Sequence, residues 1–290
     1  MNTVLSAEHL TKRLKKIEKQ SNKGTNGTLT VVAGSAMFRG AASLSVGAAL
    51  RTGCGLVRLI STEKVVSAVA VQHPCAIFSP VKENEKGAIA AEARCEIANV
   101  SPKTSAFLIG PGLSQSTDTA FLVGATTEFS KRTVLDADAL NIISQNKELL
   151  YAFKKPFIVT PHVGEMSRLT GLTVAEIKKD PSAVAKAFSL KYGCVTVLKD
   201  HVVYISNENG EVFESRLGNE GLAKGGSGDV LSGFIAGSLA RGYSAEDSAV
   251  IGTVLHGLAA EKCASEIGKT AMLPSDLEGY AVKVLRELGY

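Results

Sequence analysis

Short apolar or β-branched runs that stop at a glycine- or carboxylate-bearing turn, and then give way to a helix-like segment, recur through this chain. That alternation constrains the fold more than any single motif. Residues 28–33 empty into Gly34-Ser35, and residues 41–53 read as a small-residue helix before the run 55–60. The run 106–109 ends at Gly110-Pro111-Gly112, 133–135 at Asp136-Ala137-Asp138-Ala139-Leu140-Asn141, 157–160 at Pro161-His162-Val163-Gly164-Glu165, and 194–199 at Asp200. Continuous apolar runs suit strands buried on both faces, and parallel strands need crossover helices. The pattern predicts an α/β fold, a doubly wound, largely parallel sheet with helices on both faces. Ligand loops of such sheets collect outside the strands' C-terminal ends.

The other segments fit around that frame. Residues 6 to about 21 carry an amphipathic helical pattern, and a polar Asn/Gly/Lys stretch to Gly27 reads as a loop, together a docking or oligomer contact. Residues 65–71 read as helix and 75–80 as extended. A strand at 200–206 turns through Asn207-Glu208-Asn209-Gly210 into 212–215. The tail predicts helices over 245–264 and 275–288, with Pro274 at their junction. No linker, charge block or low-complexity run divides the chain, so residues 28–290 read as a single domain preceded by the 1–27 segment.

Composition removes several function classes. Aromatic residues are 6% of the chain with no tryptophan, the formal charge is only +4, and 28 glycines suit tight turns around small ligands. Stacking on nucleic acid is therefore not expected. The cysteines, Cys54, Cys75, Cys95, Cys194 and Cys263, are odd in number and form no CxxC pair, which argues against a disulfide framework or zinc site and for reduced, cytoplasmic thiols. No apolar run reaches membrane-spanning length and the polar N-terminus lacks a signal-like core, so neither membrane nor export is expected.

The densest ligand signal is the stretch from Gly218 to Asp229, which contains Gly225-Gly226-Ser227-Gly228-Asp229 and runs into an apolar helical segment. Successive backbone N–H groups converge on an anion only where Cβ atoms do not obstruct them, so this is a candidate phosphate cradle at a helix N-terminus. A carboxylate beside phosphate makes sense as a proton acceptor or as a partner of magnesium. The plainer reading makes Asp229 a first-turn residue favoured by the helix dipole and the glycines an ordinary turn. His162 reads equally as a ligand donor or a solvated loop residue, Asp138 as a functional carboxylate or a helix N-cap, and Gly110-Pro111-Gly112 as a backbone platform or a simple turn.

Together, Gly110-Pro111-Gly112, Val134 to Asn141, Thr160 to Met166 and Gly225 to Leu231 resemble the motifs of the ADP/ATP-dependent (S)-NAD(P)H-hydrate dehydratase family, with the likeness running from about Thr28 to the C-terminal helices. The resemblance implies a ribokinase-like fold in a stand-alone bacterial-type enzyme. It implies that the hydrates NADHX and NADPHX are phosphorylated at their hydroxyl, with Mg2+ and ADP or ATP as donor, and lose phosphate to give NADH or NADPH. By the same carry-over Asp229 is the catalytic base and touches substrate with Ala41, Gly112 and His162. Lys199, Asp200, His201, Val202, Val203 and Gly228 hold the nucleotide, Gly225, Gly226, Ser227 and Gly228 cradle phosphate, and Asn141 and Glu165 lie near the phosphates and magnesium, indirectly. A homotetramer is also implied.

The chain departs from the family pattern at several positions. Asp200-His201-Val202-Val203 stands where a Gly-Ala pair and a threonine are usual, Val163 where proline is usual, Glu220 adds charge, and Lys224 replaces a small polar residue. These departures predict altered nucleotide affinity or choice. The competing readings are a small-molecule kinase of the same fold and a nucleotide-binding regulator without turnover.

Overall fold

The computed structural model describes residues 2–129 and 131–290. Its strands are β1 (Thr3–Val4), β2 (Thr28–Val32), β3 (Leu56–Thr62), β4 (Ile77–Val81), β5 (Ala106–Ile109), β6 (Thr133–Leu135), β7 (Ile158–Val159), β8 (Val195–Leu198), β9 (Val203–Ser206) and β10 (Val212–Ser215). They form one sheet in the order β1-β10-β9-β8-β7-β6-β5-β2-β3-β4. From β8 through β4 every pairing is parallel, and β9 is antiparallel to both β8 and β10.

Strand alternation divides the core between two faces. On β5, Ala106 and Leu108 point into the layer that includes helices Arg39–Leu50, Ser227–Ala240 and Ala245–Ile267. Phe107 and Ile109 point into the opposite layer, with helices Ala93–Val100, Thr117–Phe129, Asp138–Gln145, Val163–Thr170 and Pro181–Tyr192. All four β5 side chains are buried, which is why the run is continuously apolar.

Chain direction across the sheet reverses between β2 and β5: β2, β3 and β4 proceed one way, β5 through β8 the other. A crevice opens at such a switch point, outside the carboxyl ends of the two strands. Here Gly34 N–H donates to the Pro111 carbonyl at 2.8 Å, tying the β2 and β5 loops together. Helix Ser227–Ala240 packs beneath, and its Gly233 admits helix Arg39–Leu50 so closely that an added Cβ would stand 2.5 Å from the Ser45 carbonyl oxygen.

The N-terminal segment differs from expectation. Its helix spans only Ala7–Arg13, not residues 6 to 21, and Thr3–Val4 pairs in parallel with Phe213 and Glu214. The segment is fixed by tertiary contacts: Leu10 is fully buried, Lys15 N–H donates to the Tyr243 hydroxyl at 2.8 Å, and the Tyr290 hydroxyl donates to the Thr11 carbonyl at 3.0 Å. The Leu14 amide closes the last turn onto Leu10, and Leu14 itself is extended, so the helical pattern beyond it is not realised. No described helix is long and apolar enough to cross a membrane.

Candidate active site

Gly226 caps helix Ser227–Ala240 with a φ of 103°, a conformation open to glycine. The Leu44 side chain leaves no room there for a Cβ, which would lie 2.6 Å from Leu44 Cδ1. The Ser227 N–H closes onto the Lys224 carbonyl at 3.3 Å, and Asp229 follows in the first turn of the helix. Its carbonyl accepts from the Ser45 hydroxyl at 3.2 Å. Ala41 lies one helical turn before Ser45, so it stands about 6 Å further along the same helix, towards the crevice. At that level Gly112, with a φ of 61°, meets both Ala41 and Phe38: a Cβ on Gly112 would fall 2.9 Å from the Ala41 methyl. Ala41, Gly112 and Asp229 thus gather at one place.

Lys199 enters from the other side. Its N–H donates to the Pro161 carbonyl at 2.8 Å, and it forms a parallel bridge with His162. Its ammonium lies 2.9 Å from Asp136 Oδ1, in a pair whose side chains are 18% and 1% exposed. A Cβ on Gly228 would stand 3.2 Å from Lys199 Nζ, so the ammonium borders the glycine cradle. Burial alone would depress this lysine, but Asp136, Glu165 and Asp229 outweigh it and hold its pKa above the ordinary value. The lysine is a permanent cation among carboxylates.

The same crowding acts in reverse on the acids. Burial, assisted by the Asp136 charge and opposed by Lys199, pushes Asp229 from its ordinary 3.8 up to about 7. Burial likewise raises Glu165 to about 7, against the pull of Lys199. Glu165 Oε2 accepts from the His162 N–H at 2.8 Å, while His162 Nδ1 accepts from the Gly164 N–H at 2.9 Å, a reciprocal cap on helix Val163–Thr170. With Nδ1 an acceptor, the neutral ring carries its proton on Nε2, and burial followed by the Lys199 charge keeps the ring's pKa below normal. His162 is therefore an exposed neutral ring whose Nε2 lies 3.5 Å from Glu165 Oε1.

Four further residues singled out in the sequence have partners of their own. Asp200 is exposed and 3.5 Å from Lys178 Nζ, with its Oδ1 turned back on the His201 N–H. Glu220 pairs with Lys269 at 2.7 Å, and Lys224 Nζ donates to the Thr270 carbonyl at 2.7 Å. Each unusual charge thus has a partner outside the cradle. Asn141 Oδ1 accepts from Arg168 Nε at 2.9 Å, which occupies the oxygen a cation would use.

Three features escaped the sequence reading. Asp136 was visible only as a carboxylate ending a strand, with nothing to assign it to Lys199. Behind the cradle, the Ser227 hydroxyl and His256 Nε2 are buried with no hydrogen-bond partner among the described residues. Burial pulls His256 down to about 4, so its ring is neutral. A lone histidine in an apolar helix gave no signal of this.

The third is backbone strain. Ala137 has φ 49° and ψ −118°, a region that strongly favours glycine. Its strain lets Asp136 turn to Lys199 while Asp138 faces the neighbouring loop. Ala137→Gly is expected to raise stability by about 1 kcal/mol in urea unfolding, as relief of strain outweighs the added chain entropy of glycine.

Comparison with known proteins extends the geometric description. The family model described as NAD(P)H-hydrate dehydratase matches residues 29–283. Among curated proteins, a bifunctional NAD(P)H-hydrate repair enzyme from Moorella thermoacetica is 33% identical over 98% of this chain, and the chain spans about half (54%) of that relative's length. An ADP-dependent (S)-NAD(P)H-hydrate dehydratase from Neisseria meningitidis is 36% identical over 87% of this chain and 82% of its own. Among solved structures, the ADP/ATP-dependent NAD(P)H-hydrate dehydratase of Bacillus subtilis, co-crystallised with ATP and Mg2+, superposes with a TM-score of 0.86 at 28% identity, covering 99% of both chains.

Proposed function

The chain belongs to the NAD(P)H-hydrate dehydratase family, and from that premise we propose that it converts (S)-NADHX and (S)-NADPHX to NADH and NADPH with ADP or ATP as phosphoryl donor. The observation that carries this reading is the coincidence of a glycine-opened helix N-terminus, a bordering ammonium and a carboxylate held at about 7. Water leaves a hydrate poorly because hydroxide is a poor leaving group. Phosphorylation replaces it with phosphate.

In this reading Asp229 accepts the hydroxyl proton as the oxygen attacks the donor's terminal phosphorus. The Gly226 and Gly228 amides, with the Lys199 ammonium beside them, stabilise charge on the transferring group, which is the main demand of phosphoryl transfer. Ala41, Gly112 and His162 bracket the hydrated ring, with His162 Nε2–H as a donor. The nucleotide lies along Lys199 to Val203 and Gly228. The paired Asp200 presents less negative charge to it than its position in sequence implies.

The residues present also bear on magnesium. No group of three or more His, Cys, Asp or Glu residues able to hold a metal occurs among the described residues. That arrangement fits an ion which keeps its waters and is carried by substrate phosphates, the usual habit of Mg2+. Glu165 would face such an ion through its hydration shell, and Asn141, occupied by Arg168, would contribute little. When bound, the ion neutralises charge on the donor phosphates.

Purified protein mixed with (S)-NADHX, Mg2+ and ADP or ATP is expected to restore the reduced-nicotinamide absorbance and release phosphate in equal amounts. A stable phosphorylated product would instead identify a kinase, and no turnover with either nucleotide would overturn the assignment. Because the base must be ionised, kcat/KM is expected to fall about tenfold per pH unit below about 7 and to level off above it. We further propose that residues 28–290 form the catalytic domain, that the protein is cytoplasmic, and that it assembles as a homotetramer, the last to be tested by sedimentation.

A further inference from the structure

Phosphorylating the hydrate is half the reaction. Completing it requires loss of a proton from C5 of the ring as the C6–O bond breaks, and Asp229, beside the cradle, is already committed to the hydroxyl. We propose that Asp138 is a second catalytic residue, the base that removes the C5 proton; this rests on the function proposed above.

Two of the other carboxylates are more deeply buried. Asp136 is 1% exposed and paired with Lys199, and Glu165 is 5% exposed and held by the His162 N–H. Asp138 is partly exposed and has no ion-pair partner among the described residues. It also lies close enough to Asp229 for its charge to raise that residue's pKa. Among the described residues only Ser114 and Ala137 adopt positive φ without being glycine, at 63° and 49°. Both bear on this carboxylate. Ala137 precedes it, and Ser114 N–H donates to its Oδ2 at 2.8 Å, while Gln115 Nε2 and Asn141 Nδ2 approach its Oδ1 at 3.4 Å. Ser114 Oγ in turn donates to Ser35 Oγ at 2.9 Å, across the switch point. Asp138 is thus fixed against the loop that follows Gly112, beside the crevice.

The step balances without a further reactant. The Asp138 carboxylate takes H+ from C5, the C5–H electron pair becomes the C5=C6 bond, and the C6–O pair departs with phosphate. Asp138 then returns its proton to water.

Single-turnover measurements on Asp138→Asn test this, because nucleotide consumption reports the first half-reaction and nicotinamide absorbance the second. Nucleotide consumption is expected to stay within about threefold of the parent, while absorbance recovers about 100-fold more slowly and a phosphate monoester of the hydrate accumulates in phosphorus NMR. Asp138→Glu is expected to restore part of the second step, and deuterium at C5 to slow absorbance recovery in the parent without slowing nucleotide consumption. Equal loss of both half-reactions, or loss of neither, overturns the assignment to Asp138. Failure of the unsubstituted protein to consume hydrate overturns the proposed function instead.

Discussion

Asp229→Asn is expected to lower kcat by about a thousandfold while leaving nucleotide affinity within a few-fold, measured by rapid-quench kinetics and calorimetry. The amide preserves the side chain's shape but cannot accept the hydroxyl proton. The same substitution has a second consequence with the opposite sign. The folded protein holds Asp229 protonated up to about 7, whereas the unfolded chain ionises it near its ordinary 3.8. A group with a raised folded pKa weakens the fold as pH rises through that window, because the unfolded chain gives up its proton first. Asp229→Asn is therefore expected to match the parent below about pH 4 and to exceed it by on the order of 1–2 kcal/mol at pH 8. Equal stability of parent and variant across that range would mean that the carboxylate is not held in a low-dielectric setting.

Lys199→Met is expected to destabilise the protein by about 3 kcal/mol at neutral pH. Met fills similar volume but leaves Asp136, 1% exposed, with an uncompensated charge. Urea unfolding at several pH values measures the destabilisation. The loss of the ammonium also removes the charge that opposes the upward pull on Asp229 and Glu165. The acidic limb of the remaining activity is therefore expected to move to higher pH. A variant as stable as the parent at every pH would show that solvent, rather than Lys199, compensates Asp136.

The unusual charges of this chain have partners that the sequence did not show. Read in sequence, Asp200, Glu220 and Lys224 predict a disturbed nucleotide site. In the fold each is directed outward to Lys178, Lys269 or the Thr270 carbonyl. Long charged side chains on loop edges can satisfy themselves locally, so residue type at a ligand loop does not fix the field the ligand meets.

Local chemistry made much of the protein legible in advance. Both-face burial forces continuous apolar runs, so strands such as Ala106–Ile109 and Thr133–Leu135 were marked to the residue. Only glycine gives a cradle its convergent amides, which marked Gly225 to Gly228, and Asp229 stood out as a carboxylate among them. Helices Thr117–Phe129 and Pro181–Tyr192 were not distinguished, because residues 113–132 and 171–193 carry apolar side chains without a clean amphipathic stripe. Nor was strand Thr3–Val4, whose two residues acquire extended structure only by pairing with β10.

What tertiary structure alone decided are the relations between distant residues. Strand order set β2 beside β5, and so brought Ala41, Gly112 and Asp229 together. Packing also joined Lys199 to Asp136 across 63 positions and turned Ser114 to Asp138 across 24. Such pairings depend on which crossovers bury the most apolar surface, and the chain between two partners carries no local mark of that choice. Sequence determined which residues were capable of the chemistry; the fold decided which of them share a charge, a proton or a face of the crevice.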